Sequence, residues 1–392
     1  MHLFIVHQFP DIDNFLPIIS RLKKQTNQKY ILMNVYPIHD LNLYCFKNIL
    51  DRYDVECIDL FKISFRAKLI NLLFKLVPVR FLLRFKNIWH YFYHKYFFFN
   101  EKNIHDLIKT RRIKSINIDH SLPDRYKSIF FKLKKKTDIK LITYKLGVEM
   151  RNDINIRKVT YENSDYAVVE DCSTQFKVSD EDKKKIFRIS NPRYSLSWLD
   201  EIDKEYNYKF NESDYLKKKR NLRVLLITRP FFSYKSWKEI FNNLKKINSI
   251  DVKIKFKPRG DFVPLKYQND VINGMNTSEL INWSDVIISH ATSVLLEAII
   301  KNKKILFLKY LLHHENKEKI NYVFENQNFI EEINSFSQIE EKINSYKELP
   351  FPQKFELNTY DDVKSNFIKK LIGDGFDKNN IFEKNFLKLY EN

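Results

Sequence analysis

One stretch, Trp283–Tyr310, restricts the possible folds of this chain more than any other. Two short apolar runs, Asp285–Ile288 and Ile305–Lys309, flank a segment from Thr292 to about Lys301 whose apolar residues recur at helical spacing. Apolar runs of four or five residues are typical of parallel strands that are covered on both faces. The stretch therefore predicts a strand–helix–strand unit in which the two strands are parallel.

Polar side chains collect where the first of these strands gives way to the helix, at Ser289, His290, Thr292 and Ser293. Backbone N–H groups and the helix dipole make such a position suitable for a phosphate. Glu297 lies one helical turn after Ser293, within reach of a sugar hydroxyl beside that phosphate. The alternative is that Thr292 or Ser293 only caps the helix and that Glu297 is a solvated surface residue.

Composition narrows the kinds of ligand and the way a phosphate can be held. The chain has 392 residues, enough for about two domains, but only five glycines, and no Gly-rich phosphate loop is present. Any phosphate must therefore be held by a helix N-terminus and cationic side chains. The 68 Lys and Arg residues against 49 Asp and Glu give a net charge of +19, which indicates a polyanionic partner.

The cysteines and the hydropathy of the chain predict its compartment. The three cysteines show neither metal-ligand spacing nor an even number for disulfides, which is consistent with a reducing compartment. The first residues do not have the pattern of a signal peptide, and no window has 18 uncharged apolar residues. We therefore expect a cytoplasmic protein.

Strand-like runs alternate with helical segments along the chain, which predicts an α/β protein with two doubly wound, Rossmann-like domains. We expect an N-terminal domain at 1–199 and a C-terminal domain at 222–359. A charged segment at 200–221 is predicted to be the linker, and 360–392 is predicted to be a helical tail able to return to the first domain.

Titratable residues follow two of the predicted strands in the first domain. Asp119 and His120 lie at the end of the strand Ser115–Asp119, and Glu149 follows the strand Lys140–Thr143. Ligands of open α/β sheets bind beyond the carboxyl ends of the strands. These three side chains are therefore candidates for the general base of a reaction at a hydroxyl group, the alternative being ordinary loop polarity.

Two loops receive more specific predictions. Gln8–Asn14 is expected to be a polar turn between the first strand, Leu3–Val6, and a helix that begins near Phe15. Gly147, one of only five glycines, indicates a close approach of the backbone to a neighbouring group.

Phe61–Asn100 differs in composition from the rest of the chain, because it contains eight Lys and Arg residues and no acidic residue. Cations, aliphatic residues and an aromatic block alternate in a way that is typical of helices on an anionic membrane surface. The residues predicted to contact the membrane are Lys68, Lys75, Arg80, Arg84 and Trp89. Two alternatives are that these helices pack on the domain's own sheet, or that the aromatic rings stack on nucleic-acid bases.

Three elements resemble motifs of bacterial surface-polysaccharide glycosyltransferases of the GT-B fold. Lys257-Pro258-Arg259 resembles their H-P-R element, with Lys257 in place of the histidine, and Ser284–Ala298 resembles their aD-x-x-I-s-x-x-S-[ST]-x-x-x-E-A element. Ser190–Tyr194 is similar to the G-N-P-R-[FY]-D junction of surface carbohydrate biosynthesis proteins, with serine in place of the first glycine and Ser195 in place of the final aspartate. Related patterns occur in capsule Kdo transferases, bacterial sialyltransferases and teichoic-acid polymerases.

The resemblance implies two Rossmann-like domains that face a cleft and a metal-independent transfer of sugar from a nucleotide donor, CMP- or UDP-linked. The implied transfer requires no cofactor. The implied acceptor is a growing surface polysaccharide of the capsule or lipopolysaccharide type, or a lipid-linked glycan, at the inner membrane face. The residues implied for donor binding are Lys257, Arg259, Ser289, His290, Thr292, Ser293 and Glu297. The acceptor would be deprotonated by Asp119, His120 or Glu149.

Two other kinds of function remain open at this point. A sugar-nucleotide epimerase or a polyol-phosphate transferase has the same fold and a different reaction. A non-enzymatic protein that binds anionic lipid or nucleic acid would also explain the positive charge. Nucleic acid is not the expected partner, because the basic residues are spread over the chain and no recognised binding motif is present.

Overall fold

The chain folds into two compact units, each with its own parallel sheet. The computed structural model describes residues 1–7, 9–35, 47–59, 101–148, 163–170, 183–205, 221–228, 234–255, 277–290, 292–311, 322–348, 362–373 and 384–391. Unit 1 comprises Met1–Gly147, Ile156–Ser195 and Asp377–Asn392, and unit 2 comprises Val148–Asn155 and Leu196–Phe376.

Unit 1 is built on a sheet of seven parallel strands. They are β1 (His2–Val6), β2 (Tyr30–Asn34), β3 (Glu56–Asp59), β4 (Ser115–Asp119), β5 (Lys140–Lys145), β6 (Tyr166–Glu170) and β7 (Ile186–Ile189). Their spatial order is β3-β2-β1-β4-β5-β6-β7, so the direction of winding reverses between β1 and β4. Ligands of doubly wound sheets bind beyond the carboxyl ends of the strands at such a reversal.

Unit 2 has five parallel strands. They are β8 (Leu222–Ile227), β9 (Ile250–Lys255), β10 (Val286–Ser289), β11 (Lys304–Leu308) and β12 (Glu331–Ile333), in the order β12-β11-β10-β8-β9. Here the winding reverses between β8 and β10. The parallel pair predicted within Trp283–Tyr310 is confirmed, because β10 and β11 pair in parallel with Val286 opposite Lys304.

The described helices are named in chain order. They are α1 (Phe9–Gln25), α2 (Lys47–Arg52), α3 (Glu101–Thr110), α4 (Asp124–Lys136), α5 (Leu196–Glu205), α6 (Tyr234–Leu244), α7 (Thr277–Trp283), α8 (Val294–Ile300), α9 (Phe336–Glu348), α10 (Asp362–Ile372) and α11 (Lys384–Glu391). A short 3-10 helix, Pro192–Tyr194, precedes α5. None of the described helices combines the length and hydrophobicity that crossing a bilayer requires.

Helix α1 begins earlier than the sequence indicates, and the predicted polar turn at Gln8–Asn14 is wrong for residues 9–14. The Asp11 carboxylate accepts a hydrogen bond from the backbone N–H of His7 at 2.8 Å, which stabilises the first turn. Proline is tolerated in a first turn because the N–H group that it lacks has no helical partner there. The polar residues therefore begin a helix instead of forming a loop.

The boundary between the units differs from the prediction. Residues 200–205, predicted as the start of a linker, are the second half of α5, whose Trp198 and Ile202 are buried. The main part of unit 2 accordingly begins at Leu196, and the remainder of the predicted linker, 206–220, lies outside the described residues. The apolar side chains spaced along one face account for the helix despite the charged residues between them.

The predicted tail is shared between the units, with α10 in unit 2 and α11 in unit 1. Helix α11 inserts Tyr390 among buried rings of unit 1, 5.0 Å from His2 between ring centroids. The Tyr390 hydroxyl donates a hydrogen bond to Asn117 Oδ1 at 2.7 Å and is also hydrogen-bonded to the Tyr144 hydroxyl. Helix α11 is thus part of the core of unit 1.

Candidate functional site

The carboxyl edge of the unit 2 sheet carries the first set of predicted site residues, beginning with Ser289. The Ser289 hydroxyl donates a hydrogen bond to the carbonyl oxygen of Ile227 at 3.0 Å, and this bond joins β10 to β8 at the reversal of winding. His290 follows and is buried. Ser289 therefore stabilises the edge, since its hydroxyl proton is already used within the sheet.

Thr292 lies between β10 and α8 and is only 3% exposed. Its hydroxyl has no hydrogen-bond partner among the residues that the structure describes. Ser293 makes no side-chain capping bond, and the helix begins through a backbone bond from the Leu295 N–H to the Thr292 carbonyl at 3.0 Å. Neither hydroxyl acts as the cap that was the alternative prediction. A buried hydroxyl without a partner is costly, which makes Thr292 a candidate ligand contact.

Glu297 is buried, with 3% of its surface exposed, so the alternative prediction of a solvated helix residue is wrong. Its Oε1 atom lies 3.3 Å from Lys301 Nζ without hydrogen-bond geometry. Lys301 Nζ donates to Asp203 Oδ1 at 2.6 Å and to Asn282 Oδ1 at 2.8 Å. These contacts join α5, α7 and the end of α8 in one partly buried network. Within it Oε1 of Glu297 keeps its capacity to accept a hydrogen bond.

Several predicted residues lie outside the part of the chain that the structure describes. They are Lys257 and Arg259 of the donor site, Glu149 of the acceptor side, and the membrane-contact residues Lys68, Lys75, Arg80, Arg84 and Trp89.

Within the described part, no group of three or more His, Cys, Asp or Glu side chains is arranged to hold a metal ion.

The carboxyl edge of the unit 1 sheet carries Asp119 and His120 at the end of β4. Asp119 is buried, which raises its pKa, although its Oδ1 accepts a hydrogen bond from the Ser121 N–H at 2.7 Å. Burial, and after it the charges of Lys127 and Lys145, lower the pKa of His120 to about 4. The His120 ring is therefore neutral at pH 7 and able to accept a proton.

His7 occupies the same edge, directly after β1, but the sequence analysis did not single it out. Its ring centroid lies 5.5 Å from that of Tyr126, which is buried on α4. Because β1 and β4 are the two strands at the reversal of winding, residues that follow them are expected at a ligand. The signal was the position of His7 directly after the first strand. It was missed because the following segment was predicted to be a turn.

Glu170 is a second residue that the sequence analysis missed. It ends β6, is 3% exposed, and accepts hydrogen bonds from the Gly147 N–H at 2.8 Å and from the side-chain amide of Asn191. Burial raises its pKa to about 7, while the hydrogen bond from Gly147 and the charge of Lys145 act in the opposite direction. An acidic residue at the end of an apolar run was the available signal, as it was for Asp119.

Gly147 has a different role from the predicted one. A Cβ atom at this position would meet no atom within 4 Å in the described part of the chain, so no close approach requires the glycine. The backbone N–H of Gly147 instead donates to Glu170. No described residue fills the space beside Gly147, which lies at the same edge as Asp119 and His120.

Comparison with known proteins gives matches in structure but not in sequence. No protein-family model matches the sequence, and no curated protein matches it. Solved structures that match include a glycosyltransferase from Rickettsia africae, with 15% identity, a TM-score of 0.47 and coverage of 99% of this chain and 97% of that one. The wall teichoic acid polymerase TagF matches with 14% identity, a TM-score of 0.49 and coverage of 96% and 85%.

A third match is the UDP-GlcNAc 2-epimerase from Neisseria meningitidis, whose structure holds UDP-GlcNAc. It has 10% identity, a TM-score of 0.50 and coverage of 99% of this chain and 98% of that one. Of these three, only the epimerase reaches a TM-score of 0.5, and at this identity the likeness concerns the fold alone. With the two all-parallel sheets, it confirms the predicted fold class of two Rossmann-like α/β domains of the GT-B kind.

Proposed function

We propose that this protein is a glycosyltransferase that moves a sugar from a nucleotide-sugar donor to a growing cell-surface polysaccharide or a lipid-linked acceptor. The observation that carries the proposal is the division of polar groups between the two sheet edges. Unit 2 has a buried hydroxyl without a described partner at Thr292, and unit 1 has titratable groups at Asp119 and Glu170, which are buried, and at His120, which is half-buried. Donor binding and proton removal are the two tasks that such a transfer requires.

Unit 2 is proposed to bind the donor nucleotide at the reversal between β8 and β10. Thr292 would donate its hydroxyl proton to a phosphate oxygen, and Glu297 Oε1 would accept from a ribose hydroxyl. Lys257 and Arg259, on the sequence resemblance, would neutralise the charge that develops on the leaving phosphate. This arrangement assigns the stabilising charge to side chains of the protein itself.

Unit 1 is proposed to activate the acceptor hydroxyl. In the transfer, the acceptor oxygen bonds to the anomeric carbon, and the bond from that carbon to the phosphate oxygen breaks with its electron pair remaining on the nucleotide phosphate. The acceptor proton passes to a base, for which the candidates are Asp119 and His120 of unit 1 and Glu149 of the segment Val148–Asn155, which belongs to unit 2. The lowered pKa of His120 keeps its ring unprotonated at pH 7 but also makes it a weaker base than an ordinary histidine.

A lipid-linked acceptor is the partner that explains the composition of Phe61–Asn100. Its eight cations and aromatic block suit an anionic membrane surface, which on this proposal is the inner face of the cell membrane. Sedimentation with vesicles that contain anionic lipid tests this part. Neutral vesicles should not retain the wild-type protein. Anionic vesicles should not retain the variant in which Lys68, Lys75, Arg80 and Arg84 are all replaced by Gln.

The donor proposal is tested by thermal unfolding with CMP, CDP, UDP, GDP and ADP. A ligand that binds only the folded protein raises the melting temperature by mass action. We expect one nucleotide, CMP or UDP if the resemblance holds, to raise it in the wild type and not in Thr292→Val or Glu297→Gln. Ser284→Ala is the matched control, because the Ser284 hydroxyl is buried in the same unit beside the opposite end of β10 and donates to Ile281.

Two outcomes contradict the donor proposal. The first is no increase with any nucleotide, and the second is an equal increase in the wild type and in both variants. An epimerase of the same fold is distinguished by its reaction, because it changes the sugar of the donor without a second substrate. Analysis of the sugar recovered after incubation with donor alone separates the two activities.

A further inference from the structure

The amino ends of the unit 1 strands, at the edge of the sheet opposite Asp119, carry neighbouring cations. Lys114 directly precedes β4 and Lys140 begins β5, and the Lys140 N–H donates to the Lys114 carbonyl at 3.1 Å. Neighbouring strands lie about 4.8 Å apart, so the two lysines extend from adjacent points of the backbone. The 5 residues of β4 separate this edge from the carboxyl edge by about 16 Å. These cations therefore lie away from the proposed acceptor side.

Two helices end at the same edge and add three more cations. Lys109 lies in the last turn of α3, Arg112 follows α3, and Lys136 ends α4. The end of α3 is closed by hydrogen bonds from the Arg112 N–H to the Lys109 carbonyl at 3.2 Å and from the Ile113 N–H to the Ile108 carbonyl at 3.0 Å. Arg112 has a φ of 49°, the left-handed conformation that favours glycine at a helix end. An arginine thus occupies a position at which glycine is usual.

The five cations line one cavity of about 540 Å³, which we call the amino-edge pocket. Lys140 is half-buried and the other four cations are exposed. The lining also includes one acidic side chain, Asp138, and three buried isoleucines, Ile108, Ile113 and Ile139. Cavities of roughly 300–1,000 Å³ are typical of sites for small molecules. The amino-edge pocket therefore combines the size of such a site with an excess of positive charge.

The positive charge of the amino-edge pocket is poorly neutralised within the protein. Lys109, Arg112, Lys114 and Lys140 form no ion pair with any residue that the structure describes. Burial is the main cause that lowers the pKa of His2, at the start of β1, to about 3, but Lys114 and Lys140 add to this shift. Like charges held close together repel each other, and a bound anion would relieve that repulsion.

Helix dipoles explain only part of this arrangement. Cations are favoured in the last turn of a helix, which accounts for Lys109 and Lys136 without any ligand. Lys114 and Lys140 lie at the starts of strands, and sheets have only small net dipoles. The alternative that the cations serve only the helix ends therefore leaves the strand lysines unexplained.

We propose that the amino-edge pocket binds a small anion that carries phosphate groups. Several cations around one cavity match the charge of a phosphate, and the isoleucines provide an apolar surface for the organic part of a phosphate ester. A free phosphorylated molecule and the headgroup of an anionic lipid share this chemistry. The site is distinct from the donor site proposed in unit 2, and the inference does not rest on the proposed function.

The first experiment uses inorganic pyrophosphate as the free anion, at low ionic strength because salt screens exposed charges. Its binding is followed by amide hydrogen exchange at residues 108–114 and 136–140, a local measurement to which binding in unit 2 does not contribute. We expect pyrophosphate to slow exchange in both segments. The variant Lys109→Gln/Lys114→Gln should require about tenfold more pyrophosphate for the same protection, and Lys114→Gln alone about threefold more.

The second experiment uses vesicles of phosphatidylglycerol, with vesicles of phosphatidylcholine as the neutral comparison. If the phosphate belongs to a lipid, Lys109→Gln/Lys114→Gln should lower the partition coefficient on phosphatidylglycerol about tenfold. Any contribution from Phe61–Asn100 is the same in the wild type and in the variant, so the comparison isolates the pocket. An effect with pyrophosphate alone indicates a free phosphorylated ligand, and an effect with vesicles alone indicates a lipid headgroup.

Two further variants separate the pocket from net charge and from folding. Lys245→Gln/Lys246→Gln removes the same charge from two exposed lysines that follow α6 in unit 2, and it should bind both probes as the wild type does. Lys109→Arg/Lys114→Arg keeps both charges and should also bind as the wild type does. The inference is wrong if neither probe distinguishes Lys109→Gln/Lys114→Gln from the wild type, or if the unit 2 variant loses as much binding.

Discussion

The two units arrange polar side chains at their carboxyl edges in different ways. In unit 1 the charged groups end the strands themselves, as Asp119 and Glu170 do, and burial displaces their pKa values. In unit 2 the strand end carries hydroxyls, and the nearby charges of Glu297 and Lys301 are paired within a network of helices. Parallel sheets with the same doubly wound plan thus support different electrostatic environments.

On the proposed function, this difference corresponds to a division of tasks. Groups whose pKa values are moved toward neutrality suit proton transfer, as expected for the side that activates an acceptor. Hydroxyls suit the binding of a ligand without proton transfer. Substitutions of Asp119 or Glu170 in unit 1 should therefore have effects that depend on pH, whereas substitutions of the unit 2 hydroxyls should not.

The largest expected effect comes from breaking the paired charges of unit 2. Lys301→Met leaves Glu297 as a buried charge without compensation and should lower the free energy of unfolding by about 3–5 kcal/mol. The double variant Lys301→Met/Glu297→Leu should recover most of that loss, since neither charge remains. Urea unfolding of the two variants and of Glu297→Leu alone gives the coupling energy. A double variant as unstable as Lys301→Met would contradict the charge-pairing explanation.

The second largest expected effect concerns the contribution of α11 to the stability of unit 1. Tyr390→Phe removes a buried hydroxyl that donates to Asn117 and should lower the free energy of unfolding by about 1–3 kcal/mol. The control is Lys388→Ala, an exposed position on the same helix, which should stay within about 0.5 kcal/mol of the wild type. Equal effects of the two substitutions in urea unfolding would show that the hydroxyl does not anchor the helix.

His2 should make unit 1 sensitive to acid. Burial, with the charge of the N-terminal amine second, lowers its pKa from 6.5 to about 3. The unfolded chain binds a proton at His2 below pH 6.5 and the folded chain does not, so its contribution to stability is lost as the pH falls from about 6.5 toward 3. The slope is about 1.4 kcal/mol per pH unit. His2→Asn should flatten that slope in unfolding measurements, and an unchanged slope would exclude His2 as its source.

Glu170 should act with the opposite sign. The folded carboxyl keeps its proton up to a pKa of about 7, against an ordinary value of 4.5, so its contribution is present below pH 4.5 and is lost as the pH rises to about 7. In the wild type this loss offsets the change from His2 between pH 4.5 and 6.5. Glu170→Gln should therefore steepen the acid slope by about 1 kcal/mol per pH unit. A parallel pH profile in the wild type and Glu170→Gln would refute the pKa assignment.

The smallest expected effect separates stability from binding in unit 2. Thr292→Val replaces a buried hydroxyl that has no described partner and should change the free energy of unfolding by at most about 1 kcal/mol, toward greater stability. The same substitution should abolish the stabilisation by nucleotide. Isothermal titration of both proteins measures the binding directly. A destabilised Thr292→Val would mean that the hydroxyl serves the fold.

Local patterns in the sequence were sufficient to predict the strands. The predicted bounds of β4, Ser115–Asp119, agree with the structure, in which Ile116 and Ile118 are buried and alternate with polar residues. The spacing of Glu297 and Lys301 also indicates a helical pair. The burial of this pair could not be predicted, since it depends on the contact between Lys301 and Asp203, which are 98 residues apart in the chain.

The residues that the sequence analysis missed share a physical reason. Glu170 becomes important through Gly147 and Asn191, which are brought to it only by the pairing of β5, β6 and β7. His7 becomes a candidate only when β1 and β4 are known to be neighbours. Strand order is a long-range property, so a pattern within one segment does not contain it.

The position of Tyr390 in the chain has a consequence for synthesis on the ribosome. The residues that form most of unit 2, 196–376, are translated after most of unit 1 but before α11. While they emerge, the place of Tyr390 beside Phe4 and His2 is unfilled, and the hydroxyl that bonds Asn117 is not yet made. The unit that is translated first is therefore the one whose core is completed last.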